Sequence, residues 1–182
     1  MLQRLIIVIG IILLVGVSAY ACAPDSILAP NSSLPLTSFS ENNVEVSIAL
    51  VRDTQGRMFL TATFTPPPHY YMYSKDLPRN GVDGLGRPTL LELTGNSRMT
   101  GLGLLTESIS PMEEIFEDIT LPVYPPGPVT LSLAVSLPPG ANWVEDEISL
   151  TFMACSAQGC KPPVVQKIVP VRVPGADSIS NP

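Results

Sequence analysis

The sequence predicts an all-β fold, an antiparallel sandwich, and three observations carry that expectation. Residues 44–173 break into roughly seven to nine short apolar segments bounded by turn formers, the rhythm of a sandwich. Proline accounts for 20 of the 182 residues, and each one removes a backbone donor and crowds the preceding helical turn. No segment of the domain places apolar residues at a clean helical spacing.

Val44, Val46, Ile48 and Leu50 alternate with Glu45, Ser47 and Ala49, the period of a half-buried strand. A turn at Asp53-Thr54-Gln55-Gly56 leads into a second strand over 58–64. Pro66-Pro67-Pro68 ends it, and 70–74 resumes as an extended aromatic segment. Residues 78–88 carry Pro78, Gly81, Gly84, Gly86 and Pro88 and read as a loop. Strands are expected over 89–93 and 99–105. The stretch 107–118 is acidic without a clean period, and 121–124 is a short extended piece. Residues 129–137 and 148–154 alternate well, and 164–173 closes the domain. The expected domain is therefore 43–174, followed by a disordered tail over 175–182.

The N-terminus has a different character. Arg4 is the only charge before Asp25, and residues 5–17 are apolar throughout. Small residues follow, ending in Ala19-Tyr20-Ala21-Cys22. A positive start, an apolar run of this length and an A-x-A site describe a secretory signal over residues 1–21. A retained anchor helix is the alternative, since 5–21 is at the short end of what spans a bilayer. A cysteine directly after the small residues also matches, imperfectly, the site at which bacterial lipoproteins are cut and acylated. Lipidation of Cys22 is favoured because it removes a stray reactive thiol from an oxidising compartment. Residues 22–42, with Pro24, Pro30 and Pro35 and several serines, then read as a flexible tether.

Net charge is −6, and no basic stripe is present, which argues against nucleic acid as a partner. Three cysteines in an exported chain leave one odd. With Cys22 acylated, Cys155 and Cys160 remain as a pair. The four residues between them include Gly159 and lie between two predicted strands, so the cysteines flank a hairpin turn and can face each other. Opposed residues there lie within disulfide reach. Two readings stay open on physical grounds. The bond is a staple, or it is a redox pair. A staple across so short a loop gains little, about 2 kcal/mol in the chain-entropy account, against about 4.7 for a hundred-residue loop. The neighbouring Lys161 would favour a thiolate if its ammonium lies close.

Several other groups carry weaker signals. His69, the single histidine, could join Cys155, Cys160 and Met153 around copper, yet no spaced partner completes a site. The acidic cluster Glu113, Glu114, Glu117 and Asp118 reads as a solvated edge rather than paired catalytic carboxylates. No phosphate-binding glycine loop or nucleophile elbow is present. No cofactor is expected.

Cys155-x4-Cys160-Lys161-Pro162-Pro163, preceded by Leu150-Thr151-Phe152-Met153-Ala154, resembles the active-site hairpin of the N-terminal periplasmic domain family of the thiol:disulfide interchange protein DsbD. Three further stretches resemble that family in order: Tyr70-Tyr71-Met72-Tyr73-Ser74-Lys75, Gly86-Arg87-Pro88-Thr89, and Glu114-Ile115-Phe116-Glu117-Asp118 with Leu121-Pro122-Val123. The resemblance implies an immunoglobulin-like β-sandwich that exchanges thiols and disulfides. It implies electron receipt from a thioredoxin-like donor and delivery to oxidised extracytoplasmic partners. Cys160 would form the mixed disulfide and Cys155 would resolve it, with Tyr71 and Tyr73 lining the site. The family's aromatic cap motif has no counterpart here. Glu107, Ser108, Ile109 and Ser110 take its place, so Glu107 is expected beside the site and Ile109 as a smaller lid. The rival function is a lipoprotein binding module with a purely structural disulfide.

Overall fold

The computed structural model describes residues 31–116 and 118–179. The expected signal segment and Cys22 lie outside them. In chain order the strands are β1 (Ser32–Glu41), β2 (Val44–Arg52), β3 (Met58–Thr65), β4 (Tyr71–Tyr73), β5 (Leu90–Leu93), β6 (Thr100–Gly101) and β7 (Thr106–Glu107). There follow β8 (Met112–Phe116), β9 (Ile119–Tyr124), β10 (Val129–Ser136), β11 (Val144–Phe152), β12 (Ala154–Ser156), β13 (Gly159–Cys160) and β14 (Val164–Val173). A short 3-10 helix, Ala176–Ile179, ends the described chain.

One sheet runs β1-β2-β3-β10-β6, with β7 also paired to β10; a second runs β14-β11-β5; a third runs β13-β12-β4-β9-β8. Every ladder between these strands is antiparallel. The fold is the expected all-β antiparallel sandwich of immunoglobulin-like type. Its core follows from strand alternation. Val46, Ile48 and Leu50 of β2, Leu60 and Phe64 of β3, and Leu131 of β10 point inward from the first sheet. They meet Ile148, Leu150 and Phe152 of β11 and Val169, Val171 and Val173 of β14, with Phe64 and Phe152 ring centroids 5.5 Å apart. Burying a side chain of this size contributes about 1.5–3 kcal/mol, so this layer supplies most of the stability.

Three sequence expectations need correction. Residues 32–41 are not tether but the edge strand β1, paired with β2 along its length. Pro35 is tolerated because it lies on a sheet edge at a bulge, where the register shifts between Pro35 and Thr37. Asn42 and Asn43 both have positive φ, 51° and 64°, and form the tight turn that β1 and β2 share. The expected strand over 99–105 shrinks to two residues, whereas the stretch 107–118 contains the strand β8, which pairs with β9 in a hairpin.

The tail is the third correction, because residues 175–179 pack onto the domain. Gly175 N–H donates to Asn142 O at 3.0 Å, Ala176 N–H to Pro138 O at 2.8 Å, and Ile179 joins the core. Gly175 is required by space, since a Cβ there would lie 2.1 Å from Gly140 O.

One buried charge organises the loop after β5. Asp146, 8% exposed, accepts from Ser97 Oγ and the Arg98 and Met99 N–H groups at 3.1 Å, and from Glu147 N–H at 2.8 Å. Asp146→Ala strands these donors and is expected to cost about 3 kcal/mol in denaturant unfolding. Asp146→Asn keeps one acceptor oxygen and should cost less. A loss below about 0.5 kcal/mol in the alanine variant, the ordinary range for an unimportant surface change, would refute this role.

Candidate functional site

The site is built where one strand changes sheets. β11 pairs with β5 and β14; past Met153 the chain continues as β12, which pairs with β4 and β13. Alternation then sorts the side chains of this third sheet. Ala154, Met72 and Tyr124 face the main core, whereas Cys155, Tyr73, Leu121 and Val123 face the other way and form a second apolar cluster. Tyr71, Phe116, Ile119 and Met153 pack against that cluster from its partly open side.

Cys155 and Cys160 sit directly opposite each other in the β12–β13 pair and are disulfide-bonded, with Cα atoms 4.0 Å apart. The Lys161 N–H donates to Ala154 O at 2.8 Å. That bond flanks the cysteine pair, which places it at a non-hydrogen-bonded position, where facing residues approach most closely. The turn is tied internally: Ser156 Oγ accepts the Gln158 N–H at 3.2 Å and donates to Gly159 O at 3.3 Å. From outside, the side chain of Asn42 in the β1–β2 turn donates to Pro162 O at 2.8 Å.

The two cysteines differ sharply in access. Cys155 is 0% exposed and belongs to the buried cluster. Cys160 is exposed and lines an open cleft of about 580 Å³. Tyr71 and Tyr73 line the same cleft, facing Phe116 and Ile115 of β8 and the turn residues Ser156 and Ala157. Sheet order separates β13 from β8 by four strand spacings, about 19 Å if flat. Both border one cleft, so the sheet curls and its two edge hairpins act as walls over a tyrosine floor.

The floor is tightly packed. Tyr71 meets Tyr73 edge-on with centroids 5.8 Å apart, and the Tyr71 and Tyr73 centroids lie 5.7 and 6.3 Å from Phe116. Tyr73 O–H donates to Cys155 Sγ at 3.5 Å. Its carbonyl accepts both the N–H and the hydroxyl of buried Thr89, at 3.2 and 2.7 Å, so the segment after Gly86 pins β4 in place. Gly86, φ 75°, admits the Tyr73 ring; a Cβ there would lie 2.9 Å from it. Burial pushes the Tyr73 phenol above its ordinary range. Tyr71 is pushed up as well, chiefly by burial, then by Tyr73 and the charge of Glu114. Both therefore stay protonated and able to donate at neutral pH.

The remaining expected site residues are placed elsewhere. Glu107 lies in β7 with Lys75, whose ammonium is 3.1 Å from it and 2.8 Å from Asp76. Neither Glu107 nor Ile109 lines the cleft. Phe116, Leu85 and Ile115 line the cleft where Ile109 was expected. β7 pairs with β10 of the other sheet, which draws the 107–109 segment off the cysteines. Lys161 is also turned away, with its ammonium 5.3 Å from the Tyr70 ring centroid on the main-core side.

The site thus sets one buried and one exposed half-cystine beside a tyrosine floor in an antiparallel β-domain. No protein-family model matches the chain, and no curated protein matches it significantly. Among solved structures, it is similar to the N-terminal domain of Neisseria meningitidis DsbD in the reduced form. That alignment has 15% identity and a TM-score of 0.42, and covers 84% of this chain and 94% of the other.

Proposed function

We propose that the chain is an extracytoplasmic thiol–disulfide exchange module, held to a membrane through lipid on Cys22. In this reading it passes electrons from a thioredoxin-like donor to oxidised partner proteins through Cys155 and Cys160. The observation that carries the reading is the unequal access of the two half-cystines. Exchange needs one sulfur that a partner thiolate can reach and a second that leaves and later returns. In the reductive half-reaction a donor thiolate attacks Cys160 Sγ, and the disulfide breaks with Cys155 Sγ leaving as a thiolate. Tyr73 O–H hydrogen-bonds that sulfur until it gains a proton. The donor's second thiol then attacks the mixed disulfide and leaves oxidised, freeing Cys160. The delivery half-reaction runs in reverse on an oxidised partner: Cys160 attacks, and Cys155 resolves the mixed disulfide.

The test is the reduction potential of the pair in dithiothreitol or glutathione buffers. A value within roughly −120 to −270 mV, the range of exchange proteins, is expected. Tyr73→Phe removes the donor to the leaving Cys155 sulfur and should slow reduction of the disulfide about fivefold, equivalent to about 1 kcal/mol in the barrier. A potential below about −300 mV, where structural disulfides lie, would overturn the reading in favour of a binding module with a stapled hairpin.

A further inference from the structure

The rim of the cleft has a charge that the exchange chemistry does not require. Its centre is apolar and open to water: Ile115 is 72% and Leu85 45% exposed. Glu114 lines it, and exposed Glu113 and Asp118 belong to the same β8–β9 hairpin wall or its turn. Among the described residues, no lysine or arginine lines the cleft. The neighbouring cations are committed to other groups. Lys161 lies over Tyr70, Lys75 is paired with Asp76 and Glu107, and Arg87 donates to the carbonyls of Asn80, Gly84 and Gly86 in its own loop. An exposed apolar surface with one wall carrying a single sign of charge marks a docking surface and selects its complement.

We propose that the protein that docks at Cys160 presents its reactive cysteine on an exposed segment with an apolar residue beside the cysteine and Lys or Arg flanking it. This deepens the exchange reading and rests on it. The apolar neighbour covers Ile115 and Leu85, while the flanking cations face Glu113, Glu114 and Asp118. Charge of this kind acts mainly on encounter, so its signature is a rate that falls with salt.

The test uses the full chain with Cys22→Ser, so that Cys155 and Cys160 are its only cysteines, and three single-cysteine peptides of equal length. Their flanks are lysine, glutamine or glutamate. Each reduces the disulfide by the same route. One peptide thiolate attacks Cys160 Sγ and displaces Cys155, which gains a proton. A second peptide thiolate attacks the peptide sulfur of the mixed disulfide and releases Cys160. The products are one peptide disulfide and the Cys155/Cys160 dithiol. The lysine peptide is expected to react about tenfold faster than the glutamate peptide at low ionic strength, within the range charge focusing supplies. The ratio should approach one near 1 M salt, where screening reaches about 3 Å. Glu113→Lys/Glu114→Lys should bring the ratio to one or invert it. Glu145→Lys, on β11 and outside the cleft, should preserve it. Equal rates for the two charged peptides at low salt would overturn the proposal, as would an equal loss of preference in the Glu145 variant. Failure of every peptide, the glutamine one and dithiothreitol included, would overturn the exchange reading with it. Reduction by glutamine peptide without charge preference would overturn the docking proposal alone.

Discussion

Cys155→Ala is expected to yield a chain that forms covalent adducts through Cys160, whereas Cys160→Ala should leave a thiol that barely reacts. The reason is environment rather than residue type. Cys155 is fully buried among Tyr73, Leu121 and Val123, and Cys160 opens into the cleft. Burial in apolar surroundings disfavours the charged thiolate, which is the nucleophile. Burial also keeps a reagent away from the Cys155 sulfur, which lowers the rate further. Alkylation of the two variants with a neutral reagent at fixed pH measures the difference directly. Cys160 is expected to react at least about tenfold faster, because its sulfur is the accessible one. Comparable rates would mean that the hairpin opens freely, and the assignment of attacking and resolving roles would fall. The reciprocal trapping experiment follows: mixed disulfides with partners should accumulate in Cys155→Ala and be absent from Cys160→Ala.

Stability should fall steeply above pH 10, and the buried tyrosines of the third sheet are the cause. Burial raises Tyr73 and Tyr124 above their ordinary value of 10.0, and Tyr71 is raised in the same direction. A raised folded-state value means that the unfolded chain loses its phenolic protons first. The stability these groups supply is therefore complete below pH 10 and drains away as the pH climbs toward the folded values. Each tyrosine contributes a slope of about 1.4 kcal/mol per pH unit in that window. Tyr73 and Tyr124, the two that are almost wholly buried, together give about 3 kcal/mol per unit. Denaturant midpoints measured from pH 8 to beyond 11 provide the test. Tyr124→Phe should remove its own share of the slope, about 1.4 kcal/mol per pH unit, although it also deprives the Lys75 N–H of its acceptor at 3.0 Å and so lowers stability at neutral pH. A midpoint that is flat across pH 10 in the wild-type chain would contradict the protonated, donating tyrosine floor.

Much of the architecture was legible in the residues because its strands obey the two-residue period. β2, β3, β10 and β14 begin and end within two residues of the alternating runs that announce them. Misreadings occurred where local composition and tertiary pairing disagree. Pro35 and its neighbouring serines look like a linker, yet an edge strand needs only one side of its backbone paired, and a bulge absorbs the proline. The signal that could have revealed β1 was Asn42-Asn43, a pair suited to a tight hairpin turn, with alternating residues before it. The acidic stretch 107–118 hid the strand β8 for a similar reason: β8 is an edge strand exposed along nearly its whole length, so its period carries little apolar contrast.

For the site, the sequence by itself determined that Cys155 and Cys160 flank one turn and that Tyr71 and Tyr73 share one strand face. Two cysteines across a short turn must face each other, and Tyr71 and Tyr73, two apart on one strand, must share a face. Which cysteine is hidden, and what walls the cleft, was decided only by tertiary structure. Both depend on the curl that brings the β8–β9 hairpin over a sheet whose flat order would hold it about 19 Å away. Alternation assigns a side chain to a face, but only packing between distant segments decides whether that face meets water, another sheet or an incoming thiol.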